Sequence, residues 1–328
     1  MDEKILSRIT IKPTLACNGG CEYCDLRREL FSSKKNYSLP LEKWEEILSE
    51  SKKLGAKKVS ISGGEPLLYP QLPQLVKFAK KKGFFVNINS NGSLFTSQKA
   101  TQLSEAKLDS VTISLPSKNK KTLDKIKKIS GLYKKIMDSI NHLKKNKIKV
   151  YLQTIISKDN YFELDQILKL ALDKKLDGIA ISYPEADFKD KYILLNNQQI
   201  NSFNKKIKPK CLIILKKSSL KNKEEIITKF KTIYAWKDFN LENASNGIYW
   251  SPARECKIPY EFNLILQNGD VLPCNAIEYF HEPIIGNVQT KSIKEINFGT
   301  AKQQFLTKKT PLCKYCPMNL NFKISFSH

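Results

Sequence analysis

Three cysteines near the start of the chain, Cys17, Cys21 and Cys24, have the spacing C-x3-C-x2-C in the run CNGGCEYC. They follow a β-branched stretch, residues 8–12, that predicts a short buried strand, so we expect the thiols on the polar loop after it. Three thiolates on one loop can hold three irons of a [4Fe–4S] cube. Because a fourth protein ligand is missing, one iron would stay open to a small molecule, unlike the usual four-cysteine ligation of an electron-transfer cluster.

Four more cysteines lie toward the C-terminus, Cys256, Cys274, Cys313 and Cys316. Between the first two, the run CKIPYEFNLILQNGDVLPC predicts two strands joined at Asn268-Gly269-Asp270. Asn-Gly is a hairpin signal, so this hairpin can bring Cys256 and Cys274 together. A structural zinc site is the alternative use for these thiols. It is less favoured for the first three, because zinc sites prefer paired C-x2-C units with histidine, and the chain has three histidines.

The composition indicates a globular metal-binding protein. The chain has 328 residues, 41% of them apolar, and carries a net charge of +24. Of its 56 basic residues only four are arginine, so we interpret the charge as a lysine bias of the surface rather than a nucleic-acid site. No apolar run approaches the ~20 residues that span a membrane. We expect a cytoplasmic protein whose cysteines bind metal rather than form disulfides, and a positive surface that favours anionic partners.

Strand-like and helix-like stretches alternate, which predicts an α/β fold with a parallel sheet. The predicted strands are 8–13, 57–62, 84–90, 110–115, 149–156 and 178–183. The predicted helices between them are 41–53, with Gly55 as C-cap, and 71–82, 97–106, 122–145 and 161–174. After residue 187 we expect a helix at 197–207, an apolar run at 211–215 and a helix at 222–237.

Polar residues and glycines follow several of these strands. The second strand ends in Ser62-Gly63-Gly64-Glu65-Pro66, where glycines allow close backbone approach to a ligand and a carboxylate can pair with an ammonium group. The third strand ends in Asn89-Ser90-Asn91-Gly92 and the fourth in Ser114, while the fifth contains Gln153. Ordinary turns and strand-end caps are the alternative for each, and alternation leaves the inward face uncertain by one residue.

The cysteine motif, Tyr23 before its third cysteine, and Gly63-Gly64-Glu65-Pro66 at the end of the next strand resemble the radical S-adenosylmethionine (radical SAM) superfamily. The resemblance implies a partial (β/α)6 barrel. It also implies that SAM chelates the open iron through its amino and carboxylate groups. One electron then cleaves SAM to methionine and a 5′-deoxyadenosyl radical, which takes hydrogen from a substrate C–H bond. A reduced flavodoxin or ferredoxin would supply the electron.

The resemblance also implies the residues that bind SAM. They are Tyr23, Gly63, Gly64, Glu65, Asn89, Ser90, Ser114, Gln153, Ile155 and Asn160. The remaining cysteine, Cys211, is by default a core residue, because free cysteine is commonly buried. In some radical SAM epimerases a lone thiol returns a hydrogen atom to the substrate radical, and Cys211 is the candidate for that role here.

The C-terminal cysteines resemble the SPASM extension in its shortened form, twitch. This implies a second [4Fe–4S] cluster, the auxiliary cluster, fully ligated by Cys256, Cys274, Cys313 and Cys316. The predicted domains are a radical SAM barrel at 1–206, a connector at 207–250 and a small α+β auxiliary-cluster domain at 251–328.

We therefore expect a radical SAM oxidoreductase or maturase that oxidises, crosslinks or epimerises a peptide. A carbohydrate or aminocyclitol dehydrogenase or epimerase is the first alternative. A zinc- and RNA-binding protein without catalysis is a distant one, because the chain lacks an RNA-binding signature and is poor in arginine. The substrate would be a peptide or small molecule, and the positive charge of the chain favours an anionic one.

Overall fold

The computed structural model describes residues 6–21, 24, 38–182, 194–232, 258–274 and 283–308. The six predicted N-terminal strands are all present, within one residue of their expected bounds. The strands in chain order are β1 (Arg8–Thr14), β2 (Lys58–Gly63), β3 (Phe85–Ser90), β4 (Ser110–Ser114), β5 (Lys149–Ile155), β6 (Gly178–Ser182), β7 (Phe262–Ile265), β8 (Asp270–Leu272) and β9 (Gly286–Asn287).

The α-helices lie between successive strands of the first six, between β6 and β7, and after β9. They are α1 (Leu41–Lys53), α2 (Leu72–Lys81), α3 (Ser97–Glu105), α4 (Lys120–Lys127), α5 (Leu132–Lys145), α6 (Leu164–Asp173), α7 (Asn197–Ser202), α8 (Lys208–Lys216), α9 (Lys223–Thr232), α10 (Ile258–Glu261), α11 (Ile293–Phe298) and α12 (Thr300–Thr307). No helix in the described part of the chain has the length and apolar content to cross a bilayer.

Alternation along the strands gives the sheet two different faces. Ile9, Ile11, Val59, Ile61 and Val86 are almost completely buried on one of them. The other face is polar, and its register aligns Thr10 with Ser60 and Ser60 with Asn87. We call the side that carries these three residues the polar face. Inward-pointing side chains on the polar face of a parallel sheet can reach a ligand at the carboxyl ends of the strands.

Five helices end in the same hydrogen-bonded turn. After α1, the N–H of Gly55 donates to Lys52 O and that of Ala56 to Ser51 O, the Schellman pattern. The same pair of bonds follows α2, α3, α5 and α6. The left-handed residue of the turn is glycine after α1 and α2, but lysine after α3, α5 and α6, at Lys107, Lys147 and Lys175.

The described residues form two compact units. The first comprises those up to 112, 134–149 and 258–308. Its strands have the order β3-β2-β1-β7-β8-β9, in which β1 pairs in parallel with both β2 and β7. The hairpin expected at residues 268–270 is present, because β7 and β8 are antiparallel, and β9 pairs antiparallel with β8. The first strand of the auxiliary-cluster region thus extends the parallel sheet of this unit.

The second unit comprises residues 113–133, 150–182 and 194–232. In it β5 pairs in parallel with β6. Asn222 bonds the backbone of Ile179 through its side chain, with Nδ2 donating to Ile179 O over 2.8 Å, and so occupies one side of β6. The three predicted domains remain a prediction, because these units follow packing rather than function.

One predicted helix differs from the structure. The helix expected over 122–145 is two helices, because Lys128 and Gly131 have positive φ and the Asp124 carboxylate caps α5 through the N–H groups of Gly131 and Leu132. The apolar run at 211–215 belongs to helix α8. A π-helical turn, Phe203–Ile207, joins α7 to α8 just before Pro209, a residue that has no N–H to donate to the helix.

Candidate active site

The three N-terminal thiols lie on the loop after β1, as expected. Cys17 is exposed, and Cys21 and Cys24 are half-buried. The N–H of Gly19 donates to Cys17 Sγ over 3.3 Å. No three His, Cys, Asp or Glu side chains of the described residues surround a single ion. An Fe–S cube does not require three side chains around one ion, because each cysteine binds a different iron.

Gly63 and Gly64 bring the end of β2 against the cysteine loop. The Gly64 N–H donates to Thr14 O over 2.9 Å, and the Glu65 N–H to Ala16 O over 2.8 Å. A Cβ on Gly64 would lie 2.3 Å from both Leu15 O and Ala16 O. Gly63 has φ of +130°, and a Cβ there would lie 2.2 Å from Thr14 O. These glycines are therefore needed for contact between two backbones, in addition to any approach of a ligand.

Glu65 is completely buried, and its carboxylate binds donors of its own chain. Oε1 accepts from Ser90 Oγ at 2.8 Å and from the N–H of Leu67 at 3.3 Å. Oε2 accepts from the N–H of Asn91 at 2.8 Å. Through these bonds Glu65 ties the end of β2 to the end of β3. A contact between Glu65 and SAM stays a prediction.

The two candidates at the end of β3 face opposite ways. Asn89 lies on the polar face, where its Oδ1 accepts from Asn87 Nδ2 at 2.9 Å. Asn87 Oδ1 in turn accepts from the hydroxyls of Ser110 and Thr112. Ser90, one residue further, is buried on the other side against Glu65. Of the two, Asn89 is the one whose side chain continues the polar face.

In the second unit, a lysine contacts the candidate at the end of β4. Lys127 of α4 is buried, with 9% of its surface exposed, and its Nζ donates to Ser114 Oγ over 2.8 Å. On β5, Gln153 and Ile155 are half-buried on one face of the strand, and Gln153 O accepts from the N–H of Leu115. Lys127 therefore supplies a positive charge beside Ser114, where an anionic ligand group would be stabilised.

Asn160 and Glu163 fix the ends of β4 and β5. Asn160 is fully buried, and its Nδ2 donates to Pro116 O at 2.7 Å and to Ile155 O at 2.6 Å. Glu163 accepts from Ser117 Oγ at 2.5 Å and from the N–H groups of Lys118 and Asn119. The structure thus gives Asn160 a scaffold role in the loops after these strands, and its contact with SAM stays a prediction.

Cys211 lies in α8 with no exposed surface. Burial raises the pKa of its thiol to about 12, with a further upward contribution from Asp165. This placement favours core packing, and the hydrogen-donor role stays a prediction.

The auxiliary-cluster cysteines are described only in part. Cys274 follows β8 and is half-buried. Asn287 Nδ2 braces the preceding turn by donating to Asp270 Oδ1 at 2.9 Å. Cys256, Cys313 and Cys316, and also Tyr23 of the first motif, lie outside the described residues.

Comparison with protein families identifies both parts of the chain. The model of the radical SAM superfamily matches residues 11–171. The model of SPASM, an iron–sulfur cluster-binding domain, matches residues 256–317. The chain belongs to the radical SAM superfamily and carries a SPASM domain.

Solved structures share this fold. One of them is the structure of Streptococcus suis SuiB bound to the precursor peptide SuiA. The match covers 95% of this chain and 71% of that chain, with a TM-score of 0.70 and 17% sequence identity. For anSMEcpe with bound AdoMet, the coverage is 87% of that protein and 94% of this chain, with a TM-score of 0.67 and 17% identity. At this level of identity the likeness shows the fold, and the predicted fold class is confirmed.

The residues present fit the cofactors of the family, iron–sulfur clusters and SAM. Accessible thiols with an N–H donor at one sulfur suit iron, and Gly63 and Gly64 hold the adjacent backbone close to the cysteine loop. Sequence reasoning missed Lys127, Glu163 and Asn18, whose Oδ1 accepts from Asn91 Nδ2 beside Cys17. Asn18 could have been suspected from its place next to Cys17, but the other two act through tertiary contacts that no local pattern reveals.

Proposed function

We propose that this radical SAM enzyme is a maturase that modifies a peptide substrate. The observation that carries the proposal is the presence of a radical SAM core and a SPASM domain in one chain. It is supported by the likeness to SuiB, whose structure contains the precursor peptide SuiA, and to anSMEcpe, whose structure contains the Cp18Cys peptide. Oxidation, crosslinking and epimerisation of the peptide are the three candidate reactions.

When bound, the Cys17/Cys21/Cys24 cluster and SAM supply the radical that takes a hydrogen atom from a substrate C–H bond. We propose that Asn89 and Gln153 contact SAM from the strand ends, and that Ser114 with Lys127 binds its carboxylate. Glu65 and Asn160 hold the loops that carry these residues. The Lys127 ammonium group can offset the negative charge of a carboxylate without a change in protonation.

We propose that a reduced flavodoxin or ferredoxin supplies the electron. Such donors are commonly acidic, and the net charge of +24 on this chain would steer an acidic protein toward it. The rate of reduction should then fall as salt screens these charges.

The first test is anaerobic. The reconstituted chain is mixed with SAM and dithionite, and 5′-deoxyadenosine is quantified beside a Cys17/Cys21/Cys24→Ala triple variant. We expect the product only with the three thiols present. Formation by the triple variant would refute the assignment of the cluster site.

The substrate class needs a second test, with perdeuterated peptides in one reaction and perdeuterated carbohydrates in another. A peptide substrate transfers deuterium into 5′-deoxyadenosine, which mass spectrometry detects. Deuterium from the carbohydrate pool alone would replace the peptide proposal with a carbohydrate dehydrogenase or epimerase.

A further inference from the structure

Cys17 lies inside a closed ring of hydrogen bonds that joins the ends of three strands. Ala16 O accepts from the N–H of Glu65 at 2.8 Å. Glu65 Oε2 accepts from the N–H of Asn91 at 2.8 Å. Asn91 Nδ2 donates to Asn18 Oδ1 over 2.9 Å. Because Ala16, Cys17 and Asn18 are consecutive, these three bonds hold the backbone on both sides of the first cluster cysteine.

The orientation of the two asparagine side chains follows from their other partners. The N–H of Ser93 donates to Asn91 Oδ1 at 2.8 Å, and an N–H can only meet an acceptor, so Asn91 must present its Nδ2 to Asn18. Asn18 consequently presents Oδ1 to Asn91 and Nδ2 to Ser93 Oγ, which lies 2.8 Å away. The bond between the two carboxamides therefore runs from Asn91 to Asn18; a carboxylate at position 91 could be bonded only if the Asn18 carboxamide turned over and the Ser93 hydroxyl became the donor.

We propose that the Asn18–Asn91 bond is a positioning contact that holds Cys17 ready for iron and slows release of the cluster afterwards. Ordering a loop costs roughly 1–2 kcal/mol per residue, and a loop that is already fixed avoids much of that cost when the metal binds. Asn18 and Asn91 act through Cys17, so both are positioning residues. The inference depends on the cluster of the superfamily and not on the peptide proposal.

The variants separate this bond from its surroundings. Asn91→Ala removes the donor to Asn18, together with the acceptor for the Ser93 N–H. Asn18→Ala removes the acceptor of the same bond, and the double variant completes a double-mutant cycle. Asn146→Ala is the matched control, because Asn146 is a half-buried asparagine whose Nδ2 donates to His142 O at 2.9 Å, outside the ring.

Each reconstituted holoenzyme is reduced, and the EPR signal that responds to SAM is followed during treatment with an iron chelator. This signal reports the open-iron cluster alone. We expect its loss to be about fivefold faster in each single variant, the effect of one net hydrogen bond, and the double variant to lose it no faster than the more affected single one. Thermal unfolding of the metal-free variants should match that of Asn146→Ala.

Two results would overturn the inference. One is release at the wild-type rate in both single variants. The other is a double variant whose acceleration is the product of the two single effects, about 25-fold, since independent effects multiply when their free energies add. Neither readout uses a peptide, so failure of the proposed substrate leaves this test unchanged.

Discussion

Replacing Gly64 by alanine should separate the end of β2 from the cysteine loop. The new Cβ would lie 2.3 Å from Leu15 O and Ala16 O, whereas ordinary contact begins at 3.4 Å. Both neighbours are backbone, so the two segments must part by about 1 Å. That movement breaks the bonds from Gly64 N–H to Thr14 O and from Glu65 N–H to Ala16 O. At about 1 kcal/mol for each bond plus the strain, we expect a loss of about 3 kcal/mol in unfolding free energy.

Gly83→Ala is the matched control for this change. Gly83 has φ of +75°, and its Cβ would meet only the flexible side chain of Lys52, at 3.6 Å. The expected cost is the left-handed conformation alone, about 1 kcal/mol. Denaturant unfolding of the metal-free chains measures both losses, and iron content after reconstitution reports the loop. If Gly64→Ala costs no more than Gly83→Ala and keeps its iron, the close backbone contact is not what requires glycine at position 64.

Three further results are expected. Lys127→Met should weaken SAM binding at least about tenfold in equilibrium dialysis, because it removes the charge beside Ser114, while Lys125→Met on the exposed side of α4 should not. Lys175→Gly should stabilise the chain by about 1 kcal/mol by relieving a left-handed lysine with φ of 49°, and no gain would contradict this. Burial lowers the pKa of Lys302 to about 8, below that of the unfolded chain, so stability should rise with pH between about 8 and 10.5. The unfolding free energy of the parent chain, measured relative to that of Lys302→Met, should therefore increase by about 1 kcal/mol from pH 7 to pH 9. A difference between the two chains that does not change with pH would refute this prediction.

The strands were predictable because each alternates apolar and polar residues between clear breaks. The ends of the helices could be predicted from the sequence only in part. Gly55 marks the end of α1 as a sequence signal, but Lys107, Lys147 and Lys175 occupy the same left-handed position with no local sign of it. In a lysine-rich chain with 13 glycines, hydrophobic packing after the turn fixes these ends instead.

Some residues of the candidate site could likewise be predicted from the sequence, and others could not. The thiols of the cysteine loop and the two glycines after β2 were found because their chemistry is written in short runs of sequence. Lys127 and Glu163 were not found, since Lys127 reaches Ser114 across 13 positions and Glu163 reaches Ser117 across 46. Long side chains that act at a distance in sequence carry no local pattern by which to find them.

Glu65 and Glu163 solve the same physical problem at different places in the chain. Each is a buried carboxylate that accepts from backbone N–H groups of the loop after a neighbouring strand, after β3 for Glu65 and after β4 for Glu163. These N–H groups would otherwise need water or a ligand. Because the two loops are satisfied within the protein, we expect ligand binding to use the side chains that remain accessible, such as Cys17, Asn89 and Gln153.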